Sequence, residues 1–177
     1  QRLYKSITNK NKEAIWVIQG WMFSNQREEW DTKSTSSFLS LVPDDKMLIL
    51  DLASDYDLYI REHEFNWDYY DGFYNKKWIY SVIPNMGGKQ IFTGVIDYYR
   101  KGHLNALNDS KKGNLIGIGM APEGFENNEM LYELYTDVFW SSNEIELKKF
   151  FENYAMNRYN SFPVDIMKAW DLLQKSA

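Results

Sequence analysis

The chain has 177 residues, no cysteine, two histidines and a formal net charge of −5. That length suffices for one domain with a sizeable core, and the acidic balance argues against a nucleic-acid partner, whose phosphates call for a basic face. Without cysteine there are no disulfides or thiolate metal sites, and His63 and His103 stand too far apart in sequence for a dedicated zinc site. No apolar run approaches the roughly 20 residues that a membrane span needs. Aromatics make up 17% of the residues, enough for either a large aromatic core or stacking platforms for sugars or bases.

Arg2 to Lys10 reads as a helical end, closed by the polar run Thr8 to Lys12. The chain thus opens at Gln1 already inside an element, and it is expected to be a processed form or a piece of something longer. Ala14 to Trp21 (A-I-W-V-I-Q-G-W) reads as a first strand, with Gln19 and Trp21 sharing a face at its end. Phe23 to Lys33 turns polar, Thr35 to Val42 reads as a short helix, and Pro43-Asp44-Asp45 supplies a turn. Met47 to Ala53 (M-L-I-L-D-L-A) is a second strand, apolar almost throughout as in a parallel sheet covered on both faces, with Asp51 near its end. Ser54 to Lys77 is acidic, aromatic and without clear periodicity, which suits a functional loop or a surface loop pinned by its aromatics.

Trp78 to Asn85 forms the third strand and runs into the turn Asn85-Met86-Gly87-Gly88. A helix is expected over Lys89 to Leu107, then a polar turn, then the fourth strand over Leu115 to Glu123. Alternation along that strand puts Leu115, Gly117, Gly119, Ala121 and Glu123 on one face, a carboxylate ending a face with few side chains. Such a face leaves room for a ligand. Asn127 to Trp140 is a helix with Leu131, Leu134, Tyr135 and Val138 on one stripe. Ser142-Asn143 caps a further helix from about Glu144 to Tyr159, with Glu146 at capping-box spacing from Asn143, and Pro163 starts another that runs to about Lys175. Two helices in succession mark the start of an all-α region.

Four alternations of strand with helix or long connection indicate βα units around a parallel sheet. Gln19 with Trp21, Asp51, Asn85 and Glu123 each fall at or just after a strand's carboxyl end, the edge where sites form in parallel α/β folds. Gly117-Ile118-Gly119 lacks the rest of a dinucleotide fingerprint, no Walker loop is present, and no serine elbow occurs. Carboxylate chemistry in an aromatic pocket remains, and that suits glycoside hydrolysis.

The motifs Q-G-W-M-F (Gln19 to Phe23), L-I-L-D-L (Leu48 to Leu52), N-M-G-G (Asn85 to Gly88) and G-M-A-P-E-G-F-x-N-N-E (Gly119 to Glu129) resemble, in order, those of the alpha-N-acetylglucosaminidases, glycoside hydrolase family 89. The resemblance runs from Ala14 to about Leu173. The Ser54 to Lys77 loop is longer than in animal members, and Met86 stands where an aromatic is common. The resemblance implies a retaining exo-hydrolase of terminal alpha-linked N-acetylglucosamine, built on a (β/α)8 TIM-type barrel that runs into an all-α domain. The chain then supplies the C-terminal part of the barrel (1–141, about four parallel strands) and the start of the all-α domain (142–177). Glu123 matches the catalytic nucleophile. Trp21 matches a pocket tryptophan, Ile83 and Met86 match positions lining the sugar subsite, and Asp51 matches the acid that ends the L-D-L strand. The small residues before Glu123 then become clearance for a pyranose. Glu126 and Glu129 sit in a helix opening, where the dipole favours acids, and are read as supporting.

The family's acid/base glutamate lies N-terminal to every motif seen here, so these residues alone are expected to be inactive. The resemblance implies no cofactor and no metal, a glycan substrate with a terminal alpha-N-acetylglucosamine, and a secreted, periplasmic or lysosomal setting. The competing reading is a non-catalytic glycan- or protein-binding α/β module, which needs a self-contained fold without exposed sheet edges and would be favoured by Glu123 buried against Arg or Lys. A nucleotide-binding domain is a third, but it lacks a phosphate loop.

Overall fold

The computed structural model describes residues 2–52, 54–55, 64–85, 96–123 and 128–175. They form two compact units, Gln1–Ile83 with Ala106–Ala121, and Pro84–Asn105 with Pro122–Ala177. The first unit holds α1 (Arg2–Thr8), β1 (Trp16–Gln19), α2 (Trp21–Asn25), α3 (Thr32–Leu39), β2 (Met47–Asp51), α4 (Asn66–Tyr69), α5 (Asp71–Tyr74), β3 (Lys77–Val82) and β4 (Asn114–Met120). Its strands pair in parallel in the order β1-β2-β3-β4, as the alternating sequence pattern requires.

The strands are shorter than their apolar runs. Gly20 takes helical angles (φ −80°, ψ −6°), so β1 stops at Gln19 and Trp21 opens α2 instead of sharing a strand face with Gln19. A side chain at Gly20 would come within 3.0 Å of the Leu50 carbonyl oxygen, and the Gly20 N–H donates to that oxygen at 2.6 Å. The helix expected from Thr35 begins at Thr32 because the Asp31 carboxylate accepts from the Ser34 N–H at 2.6 Å. That bond keeps the Asp31 carboxyl below its ordinary pKa.

The stretch read as an irregular loop instead contributes core, within its described part from 64 on. Trp67 on α4, Tyr70 at the junction and Phe73 on α5, spaced three apart, are 1%, 0% and 0% exposed. The Tyr70 hydroxyl lies 2.7 Å from the Phe23 carbonyl oxygen and 2.6 Å from that of Trp30. Burial pushes its pKa up to about 12, so it stays a donor. Trp67 stacks on Trp78 of β3 with centroids 5.6 Å apart and planes 16° from parallel. Both indoles are satisfied from the turn that leads into β4: Trp67 donates to the Asp109 carboxylate at 3.2 Å and Trp78 to the Lys112 carbonyl at 2.7 Å. In the same place Gly72 (φ +61°) and Gly113 (φ +52°) meet backbone to backbone, and a Cβ on either would fall 2.6 Å from the other. Only glycine tolerates both the angle and the approach. Nearby, Lys76 is buried and donates to the Val42 carbonyl and to Asp44, and its ammonium holds the Asp44 carboxyl below the usual range.

The second unit is helical, with α6 (Ile96–Asn108, its last residues belonging to the first unit), α7 (Glu129–Phe139), α8 (Leu147–Tyr159) and α9 (Val164–Leu173). The α7 stripe is as read, with Leu131, Leu134, Tyr135 and Val138 buried and Asn128 capping through its side chain. Its core joins Ile96, Met130 and Leu134 to Phe150, Phe151 and Tyr154, and Trp170 of α9 lies flat on Phe151 at 4.7 Å. The capping box read at Asn143 does not form. The Ser141 hydroxyl takes the Asn143 N–H, Glu144 is drawn to Arg100 (2.9 Å), and α8 begins only at Leu147. The helix expected over Lys89 to Leu107 is seen from Ile96; its earlier part lies outside the described residues.

His103 on α6 is 1% exposed, and neither ring nitrogen has a hydrogen-bond partner among the described residues. Burial lowers its pKa from the ordinary 6.5. The folded state therefore binds the proton more weakly than the unfolded state. Stability is full above about pH 6.5 and falls as the pH drops through that value toward the depressed folded pKa. Replacing His103 with Leu is expected to flatten this acid limb, read from urea-unfolding midpoints between pH 7 and 5, which are about the bounds of histidine titration. An unchanged slope would show that other groups set it. Gly113→Ala is expected to cost about 3 kcal/mol, the sum of positive-φ strain and overpacking, measurable as a drop in the thermal midpoint.

Candidate active site

The parallel ladder brings the carboxyl ends of β1, β2, β3 and β4 to one edge, and it ends differently on each strand. On β2, Asp51 is 1% exposed. Its carboxylate accepts from the Asn66 amide at 2.8 Å and from the Ser54 hydroxyl at 3.3 Å. The Asn66 carbonyl in turn accepts from the Arg27 guanidinium at 3.3 Å, and Arg27 lies 4.5 Å over the Tyr69 ring. Asn66 is thus oriented from both ends, between a cation and a buried carboxylate. Trp21, half-buried, follows Gly20, whose backbone lies against Asp51. Past β3, Ile83 is 4% exposed, and its N–H is received by both Asp55 carboxylate oxygens at 3.1 and 3.2 Å.

In the helical unit, Glu123 follows Pro122 and is exposed. Its N–H donates to the carboxamide oxygen of Asn85 at 2.7 Å, and Asn85 itself is 1% exposed. Glu123 lies three residues beyond the last residue of β4, so strand alternation does not place it on the glycine face. That face is also interrupted. Trp78 pairs with Leu115 but Ile79 with Gly117, which leaves Ile116 as a bulge. Nor is the room at Gly119 free for a pyranose, because a Cβ there would stand 2.9 Å from the Ser81 hydroxyl and 3.2 Å from an Ile79 methyl. Gly119 is small so that β3 side chains fit. Glu129 opens α7 and pairs with Arg158, in keeping with a supporting part. Met86 and Glu126 lie outside the described residues.

Asp51, Trp21 and Ile83 thus share one sheet edge, while Glu123 has Asn85 as its neighbour. The residues that the motifs did not reveal are Asn66 and Asp55. For Asn66 a signal existed: the spacing of Trp67, Tyr70 and Phe73 marks a helical turn whose first residue would face the sheet. Among the described residues no group of three or more His, Asp or Glu side chains could hold a metal ion. No described helix is long and apolar enough to cross a membrane.

Residues 1–142 match the family model of the alpha-N-acetylglucosaminidase (NAGLU) TIM-barrel domain. The chain belongs to the alpha-N-acetylglucosaminidase family. The parallel strands, all within the matched residues, and the helices among them are accordingly part of an α/β barrel. Human alpha-N-acetylglucosaminidase is 29% identical over 176 residues, 98% of this chain but 22% of that protein. The family 89 glycoside hydrolase from Clostridium perfringens, in complex with 2-acetamido-1,2-dideoxynojirmycin, superposes with a TM-score of 0.74 at 23% identity, over 98% of this chain and 18% of its own. A form of CpGH89 from the same organism, with two glutamates changed to glutamine and in complex with its substrate GlcNAc-alpha-1,4-galactose, gives 0.71 at 24%, over 98% and 18%. These likenesses establish the shared fold. The chain spans about a fifth of the length of these relatives.

Asn66→Leu is expected to destabilise the chain by about 2–3 kcal/mol, the cost of leaving the buried Asp51 carboxylate short of a donor. Denaturant unfolding measures it, and a loss below about 0.5 kcal/mol, the scale of a surface substitution, would mean that Asp51 is satisfied without Asn66.

Proposed function

We propose that these residues belong to a retaining exo-glycosidase that removes terminal alpha-linked N-acetylglucosamine from glycans, with Glu123 as its nucleophile. The observation that carries this reading is the A-P-E-G segment itself. It sets an exposed carboxylate just beyond the carboxyl end of β4, with its backbone tied down, in a member of the alpha-N-acetylglucosaminidase family. The carboxylate of Glu123 attacks the anomeric carbon as the glycosidic bond breaks, giving a glycosyl ester with inverted configuration. Water then attacks the same carbon and releases Glu123, so that the two inversions restore the α configuration. The leaving oxygen needs a proton from a second carboxyl about 5–5.5 Å from the first. That acid belongs to a part of the protein N-terminal to these residues, and the 177 residues alone are therefore inactive.

In this reading Trp21 supplies a stacking face for the sugar or its acetamido group. Ile83 and Met86 line the subsite. Asp51, being buried and fully engaged with Asn66 and Ser54, acts by fixing the sheet edge next to Trp21. Residues 1–141 form the later part of the barrel and 142–177 open an all-α domain, supported by the two helices α8 and α9 that follow one another without a described strand between them. The proposed substrate fits a secreted, periplasmic or lysosomal setting. Burial of Glu123 against a cation would have favoured the non-catalytic module, and Glu123 is exposed.

In the full-length protein, Glu123→Gln is expected to lower kcat by at least about a thousandfold, or about 4 kcal/mol of transition-state stabilisation. Glu123→Gly with added azide is expected to yield the β-glycosyl azide, formed from the face the carboxylate has vacated. Near-normal hydrolysis of an aryl alpha-N-acetylglucosaminide by the Gln variant would remove Glu123 from the nucleophile role. Robust turnover by the 177 residues alone would refute the missing acid.

A further inference from the structure

We infer that Asn85 is the positioning residue of Glu123, holding the nucleophile's main chain at the point where the sheet can no longer do so. The reading rests on Glu123 as nucleophile. The last ladder bond between β3 and the segment after β4 is the Ala121 N–H donating to the Val82 carbonyl at 2.9 Å. The following donor, the N–H of Glu123, would in a continued ladder reach for a main-chain carbonyl past Val82. It is taken instead by the side-chain oxygen of Asn85, three residues beyond Val82, at 2.7 Å.

The carboxamide therefore stands in for a strand. It fixes the Cα of Glu123 from the backbone side, while the residue itself is exposed. Two facts make Asn85 suited to this. It is 1% exposed, so its amide has little freedom to swing away. It is also neutral, so it anchors the residue without putting a charge beside a group that must be ionised to attack. Aspartate in its place would keep the acceptor oxygen but add that charge, and alanine would remove the acceptor. A misplacement of about 1 Å in a reacting group is enough to cost on the order of a hundredfold in rate.

The test uses the full-length protein and an aryl alpha-N-acetylglucosaminide. Asn85→Ala is expected to lower kcat about ten- to a hundredfold at unchanged KM, because a wandering nucleophile reacts slowly in a pocket that still binds sugar. Asn85→Asp is expected to recover most of the kcat at higher pH, with the acid limb of kcat/KM displaced upward, since a like charge raises the pKa of Glu123. A merely structural asparagine gives neither result. An alanine variant with full kcat, or one whose whole loss lies in KM, overturns the inference. If the alanine variant does not fold, the aspartate profile decides alone, and an unmoved acid limb overturns it. The two readings fail separately: an active Glu123→Gln removes the nucleophile itself, whereas an inactive, azide-rescued Glu123 variant beside a normal Asn85→Ala removes only the positioning role.

Discussion

Parallel pairing of four consecutive strands, each with the one before it, is the constraint from which the remaining architecture follows. It gathers every carboxyl end at one edge and leaves each strand to finish there in its own way. β1 finishes on Gly20, whose lack of a side chain lets the backbone lie on Leu50 and Asp51. β2 finishes on a buried carboxylate, and the run after β3 on an N–H received by Asp55. Beyond β4 the last bond of the ladder is the one from the Ala121 N–H to the Val82 carbonyl. The Gly20 N–H is taken by the Leu50 carbonyl, whereas the N–H groups of Ile83 and Glu123 are received by side chains, because backbone groups that leave the ladder inside a packed structure cannot go without partners.

The sheet was legible in the sequence because a parallel strand covered by other chain is simply an apolar run, and four of them are hard to miss. Their bounds were less so. An apolar residue such as Trp21 serves equally well in a helix, and the stop at Gly20 depends on how near the neighbouring strand comes, which one chain segment does not encode. The aromatic loop was the largest misreading of the residues. It is one short turn of helix followed by a run of positive φ from Asp71 to Asn75, too brief for a hydrophobic period to emerge, although Trp67, Tyr70 and Phe73 are wholly buried.

The candidate site divides in the same way. Its motifs were readable as strings, and the family they resemble is the one to which the chain belongs. What they do physically was not. Gly119 looked like space beside a carboxylate, yet the space is used by Ser81 and Ile79 of the adjacent strand. Asn66 and Asp55 carry no motif of their own, since a single amide or carboxylate says nothing until the fold supplies its partner. Glycine and asparagine report geometry, and geometry is a property of pairs of segments.

The stacked indoles of Trp67 and Trp78 give the protein an optical handle of its own. Two transition dipoles held 5.6 Å apart in planes 16° from parallel couple as an exciton, so this one contact should stand out in the circular dichroism among 7 tryptophans. Its couplet reports on α4 against β3. Fading of that signal ahead of the helical signal would time the loosening of the aromatic layer separately from the melting of the backbone, without a label being added.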